Sequence, residues 1–157
     1  MFTRRTQNVS THKGQISFPG GVRDRSDTSL LETALRESME EVGITPNSVE
    51  IIGQLDDFLT HVSYFVISPF IGLIPWPYQF TLSESETAEI IHVPVSALLE
   101  KTCMSEGNEI VDDKLVPACF YTHNGNIIWG ATARILQQFL KIWRAAADLP
   151  NPTGDRN

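Results

Sequence analysis

Hydrophobic spacing changes character along this chain. Alternation in Gln15-Ile16-Ser17-Phe18 predicts a short strand running into Pro19-Gly20-Gly21. Leu31, Leu35, Met39 and Val42 then recur at i, i+4, i+8 and i+11, which predicts a helix with one core-facing apolar stripe and a charged opposite face. Ser29 and Glu32 stand at capping-box spacing at its start, and Gly43 closes it with Pro46 beyond. Val49 to Leu55 and Tyr64 to Ile74 read as strands, the second an almost unbroken apolar run of the kind a buried central strand carries.

The second half repeats the mixture. Pro94 is placed to start a short helix over Val95 to Lys101. Val116 to Thr122 and Ile127 to Trp129 flank Asn124-Gly125, a hairpin signal. From Gly130 to Ala147, the positions Ile135, Leu136, Phe139, Ile142 and Trp143 predict a C-terminal amphipathic helix. Strands and helices alternating in this way define an α/β chain of the α+β type. A single domain over residues 1–148 with a disordered tail over 149–157 is expected.

Composition narrows the chemistry. The 157 residues are 41% apolar and 20% charged, as in ordinary globular proteins. Nineteen acids against twelve Lys and Arg leave a formal charge of −7, which argues against a nucleic-acid backbone as partner. An acidic protein that handles an anionic substrate needs cations. The run from Tyr64 to Trp76 is too short, and too interrupted by Pro69 and Pro75, to span a bilayer, and Met1 to Ser10 lacks the apolar core of a targeting segment. Cys103 and Cys119 stand in no paired motif, which points to a reducing compartment, the cytoplasm. The histidines His12, His61, His92 and His123 show no zinc-type spacing.

Within Arg36-Glu37-Ser38-Met39-Glu40-Glu41-Val42-Gly43, three carboxylates sit at i, i+3 and i+4, within about a quarter turn of one another at ~100° per residue. Such like-charge crowding costs a helix roughly 0.2–0.5 kcal/mol per pair. A hard cation held by oxygen ligands, such as Mg²⁺, would offset it. So would a solvated acidic face partly neutralised by Arg36 through i,i+4 spacing to Glu32 and Glu40. Trp76, Tyr78 and Phe80 alternate, as core or edge packing does and as an adenine-stacking lip would.

These residues resemble the Nudix box: a glycine loop, then Arg-Glu-apolar-x-Glu-Glu-x-Gly-apolar. The match runs from Gly21 to Ile44, with Arg36, Glu37, Glu40, Glu41, Gly43 and Ile44 in place. One extra residue separates Gly21 from Arg36, the first Glu of the box has no counterpart where Thr28 stands beside Asp27, and Ser38 takes an apolar position. Gly20-Gly21-Val22-Arg23-Asp24-Arg25-Ser26-Asp27 is similar to the loop of the coenzyme A pyrophosphatases of that superfamily. Thr3, Arg5, Thr6, Gly14 and Phe18-Pro19-Gly20-Gly21 fit their upstream motif, except that Ser10 replaces an arginine. The string from His12 to Gly21 and Trp129-Gly130-Ala131-Thr132-Ala133 resemble two further strings, so the likeness spans roughly residues 2 to 142.

The resemblance implies a Nudix fold, a mixed sheet between the Ser29–Val42 helix and the Gly130–Ala147 helix. It implies Glu37, Glu40, Glu41 and the Gly20 carbonyl as ligands of Mg²⁺ or Mn²⁺. Arg36 would support them, and Glu86 or one of the box glutamates would orient or deprotonate water. Arg5 and Lys13 would meet substrate phosphates; solvated surface charge is the other reading. The implied reaction is hydrolysis of coenzyme A or an acyl derivative to 3′,5′-ADP and 4′-phosphopantetheine. Another nucleoside diphosphate derivative, such as NADH or a nucleotide sugar, and a noncatalytic binding module are the alternatives. Family members carry further sheet ahead of the segment that begins here at Met1, so an N-terminal strand is expected to be missing and its open edge to be covered, for instance by a second copy.

Overall fold

The computed structural model describes residues 1–9, 11–60, 64–111 and 114–147. Ser10, His61 and the expected tail over 149–157 lie outside them. The described residues form three α-helices and several small sheets of a mixed α/β fold, in two compact units. One comprises residues 1–59 and 66–92; the other comprises residues 60–65 and the chain from Val93 onward. No helix among the described residues is long and apolar enough to cross a membrane.

The first unit is organised by β1 (Phe2–Arg5), which lies between β2 (Ile16–Ser17) and β7 (Thr87–Ile91), antiparallel to both. Phe2, Ile16 and Ile91 are buried from this sheet, and the Phe2 ring meets Phe18 at 4.8 Å between centroids. Helix α1 (Leu30–Val42) ends as its caps dictate. The Ser29 hydroxyl accepts from the Glu32 N–H, and Gly43 takes φ +74°. The Glu32 carboxylate bonds the Thr28 N–H and hydroxyl rather than Arg36.

The buried face of α1 follows the predicted apolar stripe at Val42, with Leu31 and Leu35 half-buried, but departs from it at Met39. Met39 is 52% exposed, while Thr33, Glu41 and Val42 are buried. A polar line is packed inward because it has partners there.

After α1, β3 (Glu50–Gln54) pairs with β6 (Phe70–Leu73), and β4 (Phe58–Leu59) with β5 (Val66–Ile67). The expected buried strand over Tyr64 to Ile74 is therefore two short strands, with Tyr64, Phe65, Val66 and Leu73 exposed. Pro69 sits in the break, where its ring supplies no N–H for a continuous ladder. Trp76 meets His92 edge-on and Phe80 meets it at a tilt, with ring centroids 5.2 and 5.6 Å apart. The Tyr78 hydroxyl is a structural tie. It donates to Gly43 O and accepts from the Thr45 N–H.

The second unit holds α2 (Val95–Leu99), begun at Pro94, and a sheet in which β9 (Lys114–His123) lies between β8 (Met104–Val111) and β10 (Asn126–Ile128). Asn124 and Gly125 take φ +48° and +77°, the left-handed pair that a tight β9–β10 turn requires. Helix α3 (Gly130–Ala146) buries Thr132, Ala133, Leu136 and Leu140. Ile142 and Trp143, expected on the buried stripe, are 50% and 42% exposed. The apolar arc of α3 is wider than the arc its neighbours cover, so spacing alone picks the wrong edge.

Candidate active site

The site grows from the capped helix. Glu37 and Glu41 lie one turn apart; Glu41 is 4% exposed, and the Glu37 side chain keeps 16% of its surface. Glu40 points away, with 59% of its side chain accessible. The glycine loop closes on the first two. A Cβ added at Gly21 would overlap the Glu37 carboxylate, so only glycine allows this approach. The Gly20 backbone forms a hydrogen bond to Glu41.

Arg36 is locked rather than mobile. Its Nε and Nη2 reach the two oxygens of Asp27 at 3.0 Å each, a bidentate fork. Its Nη1 donates to Glu37 at 2.7 Å and Glu40 at 3.1 Å, and Nη2 also reaches Val22 O at 3.3 Å. Asp27, missed as a site residue on sequence grounds, is the anchor of this arrangement. It is buried and also accepts from the Thr33 hydroxyl and the Asp24 N–H at 2.9 and 2.8 Å. The guanidinium and these donors hold its carboxyl far below the ordinary range, while the same contacts push Arg36 up. The visible signal was an aspartate next to Thr28, the place of the absent box glutamate.

A second segment is stitched to the helix end by main chain. Thr81 N–H donates to Val42 O and Ser83 N–H to Glu41 O, at 3.1 and 3.0 Å. The segment then turns, with Glu86 N–H on Ser83 O, and meets the end of β1 through Thr6 N–H on Glu86 O at 2.9 Å. The buried Thr6 hydroxyl donates to Ser85 O at 2.7 Å. Glu86 is thereby held where its charge acts on Glu41. Arg5 arrives from β1, with Nη1 3.8 Å from Glu41 Oε1. Lys13 is exposed in the turn before β2.

Gly43 fixes where α1 stops. Its Cβ would come within 2.9 Å of the Thr81 backbone nitrogen, and its φ is left-handed. Gly43→Ala is expected to destabilise the fold by about 1–3 kcal/mol, read as a lower midpoint in urea denaturation.

Burial raises the Glu41 carboxyl to about 7; Arg5 opposes this, and Glu37 and Glu86 add to it. A carboxyl raised on folding binds more protons folded than unfolded between its two pKa values, so stability falls as pH rises through that window. In metal-free protein, raising the pH from about 4.5 to about 7 should cost on the order of 2 kcal/mol through this one group. Urea titrations across that range should show the slope, and Glu41→Gln should flatten it.

The donor set suits a hard divalent cation: a buried carboxylate with no full counter-charge, a second one turn away, and a loop whose Gly21 lies where a Cβ would overlap that second carboxylate. Among the described residues, no three His, Cys, Asp or Glu side chains converge closely enough to enclose an ion, because Arg36 engages Glu37 and Glu40.

Residues 1–116 match the NUDIX domain, so the chain belongs to the Nudix family of pyrophosphohydrolases, with Glu37 and Glu41 as the box carboxylates that face the glycine loop. Nudix enzymes generally need divalent cations. The chain is 36% identical over 138 residues to the protein named Uncharacterized Nudix hydrolase NudL of Photorhabdus laumondii, covering 88% of this chain and 73% of that one. It is 35% identical over 138 residues to NudL of Pectobacterium atrosepticum, with 88% and 71% covered.

Proposed function

We propose that this Nudix hydrolase uses Mg²⁺ or Mn²⁺ to cleave the diphosphate of coenzyme A or an acyl derivative, giving 3′,5′-ADP and the matching 4′-phosphopantetheine. The buried Glu41 carboxylate carries the reading, set beside Glu37, Glu86, Arg5 and the Gly20-Gly21 loop. Glu37 and Glu41, with Glu40 once released from Arg36 and the Gly20 carbonyl, would hold the cation. The bound cation supplies charge to offset what develops on the nonbridging phosphate oxygens.

The chain's own residues supply placement. Asp27 and Arg36 fix the Glu37 end of the helix, and the stitched segment fixes Glu86. Glu86 or a box glutamate accepts the proton of the attacking water, whose oxygen bonds to one phosphorus as the bridging phosphorus–oxygen bond breaks and the other phosphate leaves with the electron pair. Arg5 and Lys13 would meet substrate phosphates. The choice of coenzyme A rests on the string from His12 to Gly21 and on Arg5 reaching the site. We place the reaction in the cytoplasm.

The deciding experiment offers coenzyme A, acetyl-coenzyme A, NADH and a nucleotide sugar with Mg²⁺ or Mn²⁺ and resolves the products by chromatography. Release of 3′,5′-ADP, with the highest kcat/KM on the coenzyme A compounds, is expected. Preference for NADH or the sugar would move the substrate assignment to that class.

A further inference from the structure

We infer that Arg5 is the resident counter-ion of Glu41, which an incoming divalent cation must displace, so that Arg5 weakens cation binding rather than assisting it. This rests on the proposed placement of the cation at Glu41. The two arginines that reach the acidic cluster are held in opposite ways. Arg36 has hydrogen bonds to Asp27, Glu37, Glu40 and Val22 O. Arg5 meets Glu41 at 3.8 Å, beyond hydrogen-bond distance, and its Nε is buried with no acceptor among the described residues.

Such a guanidinium contributes charge without being fixed by bonds. A buried donor left unspent is costly wherever it persists, so its presence marks a group whose position serves something else. The backbone explains how it gets there. The β1–β7 register slips between Arg4, opposite Glu89, and Arg5, opposite Thr87. Bulges of this kind re-aim side chains beside active sites. Arg4 goes to Glu89 at 2.6 Å, while Arg5 goes to Glu41.

Two positive centres cannot share one buried carboxylate without repulsion. Before the cation arrives, Arg5 offsets part of the charge on Glu41. Once the cation is bound, the guanidinium is released.

The test is calorimetric titration of the substrate-free protein with Mg²⁺ at pH 9, where Glu41, with its carboxyl near 7, is ionised and proton competition is small. Arg5→Met should bind Mg²⁺ about 10-fold more tightly than the parent. Arg5→Gln, a second neutral variant, should show the same gain, and Arg5→Lys should stay near the parent. A merely structural arginine would give weaker binding when lost. Unchanged or weaker binding in both neutral variants overturns the inference. A Glu41→Gln protein that binds Mg²⁺ like the parent overturns the placement of the cation at Glu41 itself, whatever Arg5 does.

Discussion

Glu41→Gln is expected to lower turnover of the diphosphate substrate by roughly 10³-fold, within the range that loss of a positioned acid–base group or its cation produces. The change removes one charge and almost no volume, so the fold should survive it. Above pH 7 the variant should be more stable than the metal-free parent, because it no longer buries a carboxylate that burial has raised to about 7. Loss of activity with a gain in stability would identify Glu41 as a group whose ionised state is strained for function. Full turnover in the variant would remove Glu41 from the chemistry and leave Glu37 and Glu86 to account for it.

Asp27→Asn is the second large effect. Asp27 touches no reacting group; it places Arg36, which in turn holds Glu37. Asparagine keeps the shape but turns an N–H₂ toward guanidinium donors, so the fork loses one acceptor and meets a like group. Turnover should fall about 10–100-fold, the usual effect of losing a partner that orients ligands. Thermal melting should also move down, because Asp27 has 4% exposure and serves Thr33 and the Asp24 N–H as well. An Asp27→Asn protein with parental turnover and parental melting would show that Arg36 needs no such anchor.

What the sequence reveals divides along the range of the interaction. The ends of α1 were legible because Ser29 and Gly43 act on their own neighbours. The Asn124-Gly125 turn was legible for the same reason. Glu37, Glu40, Glu41 and Arg36 were legible as a cluster, but not the division among them, since only packing shows that Glu41 is buried and Glu40 exposed. Asp27 reads as one more charge in a polar loop until its reach to Arg36, nine positions on, is known. Strands β1, β7 and β8 have polar or mixed sequences, and their neighbours along the sheet, distant in the chain, make them strands. Met39 and Ile142 show the converse failure, apolar residues at helical spacing that stay about half exposed among the described residues.

The hold on Glu86 has a consequence for how this protein can diverge. Thr81, Ser83, Glu86 and Thr6 are joined through amides and carbonyls, with two side-chain contacts added: the Thr6 hydroxyl donates to Ser85 O, and the Ser83 and Ser85 hydroxyls lie 3.1 Å apart. Main-chain ties are indifferent to which side chain each position carries. The main-chain part of this hold tolerates change in the side chains at 81–85, so Glu86 can keep its address beside Glu41 while related chains differ there, within the limits that the Ser83–Ser85 contact and the packing of Thr81 on Gly43 set.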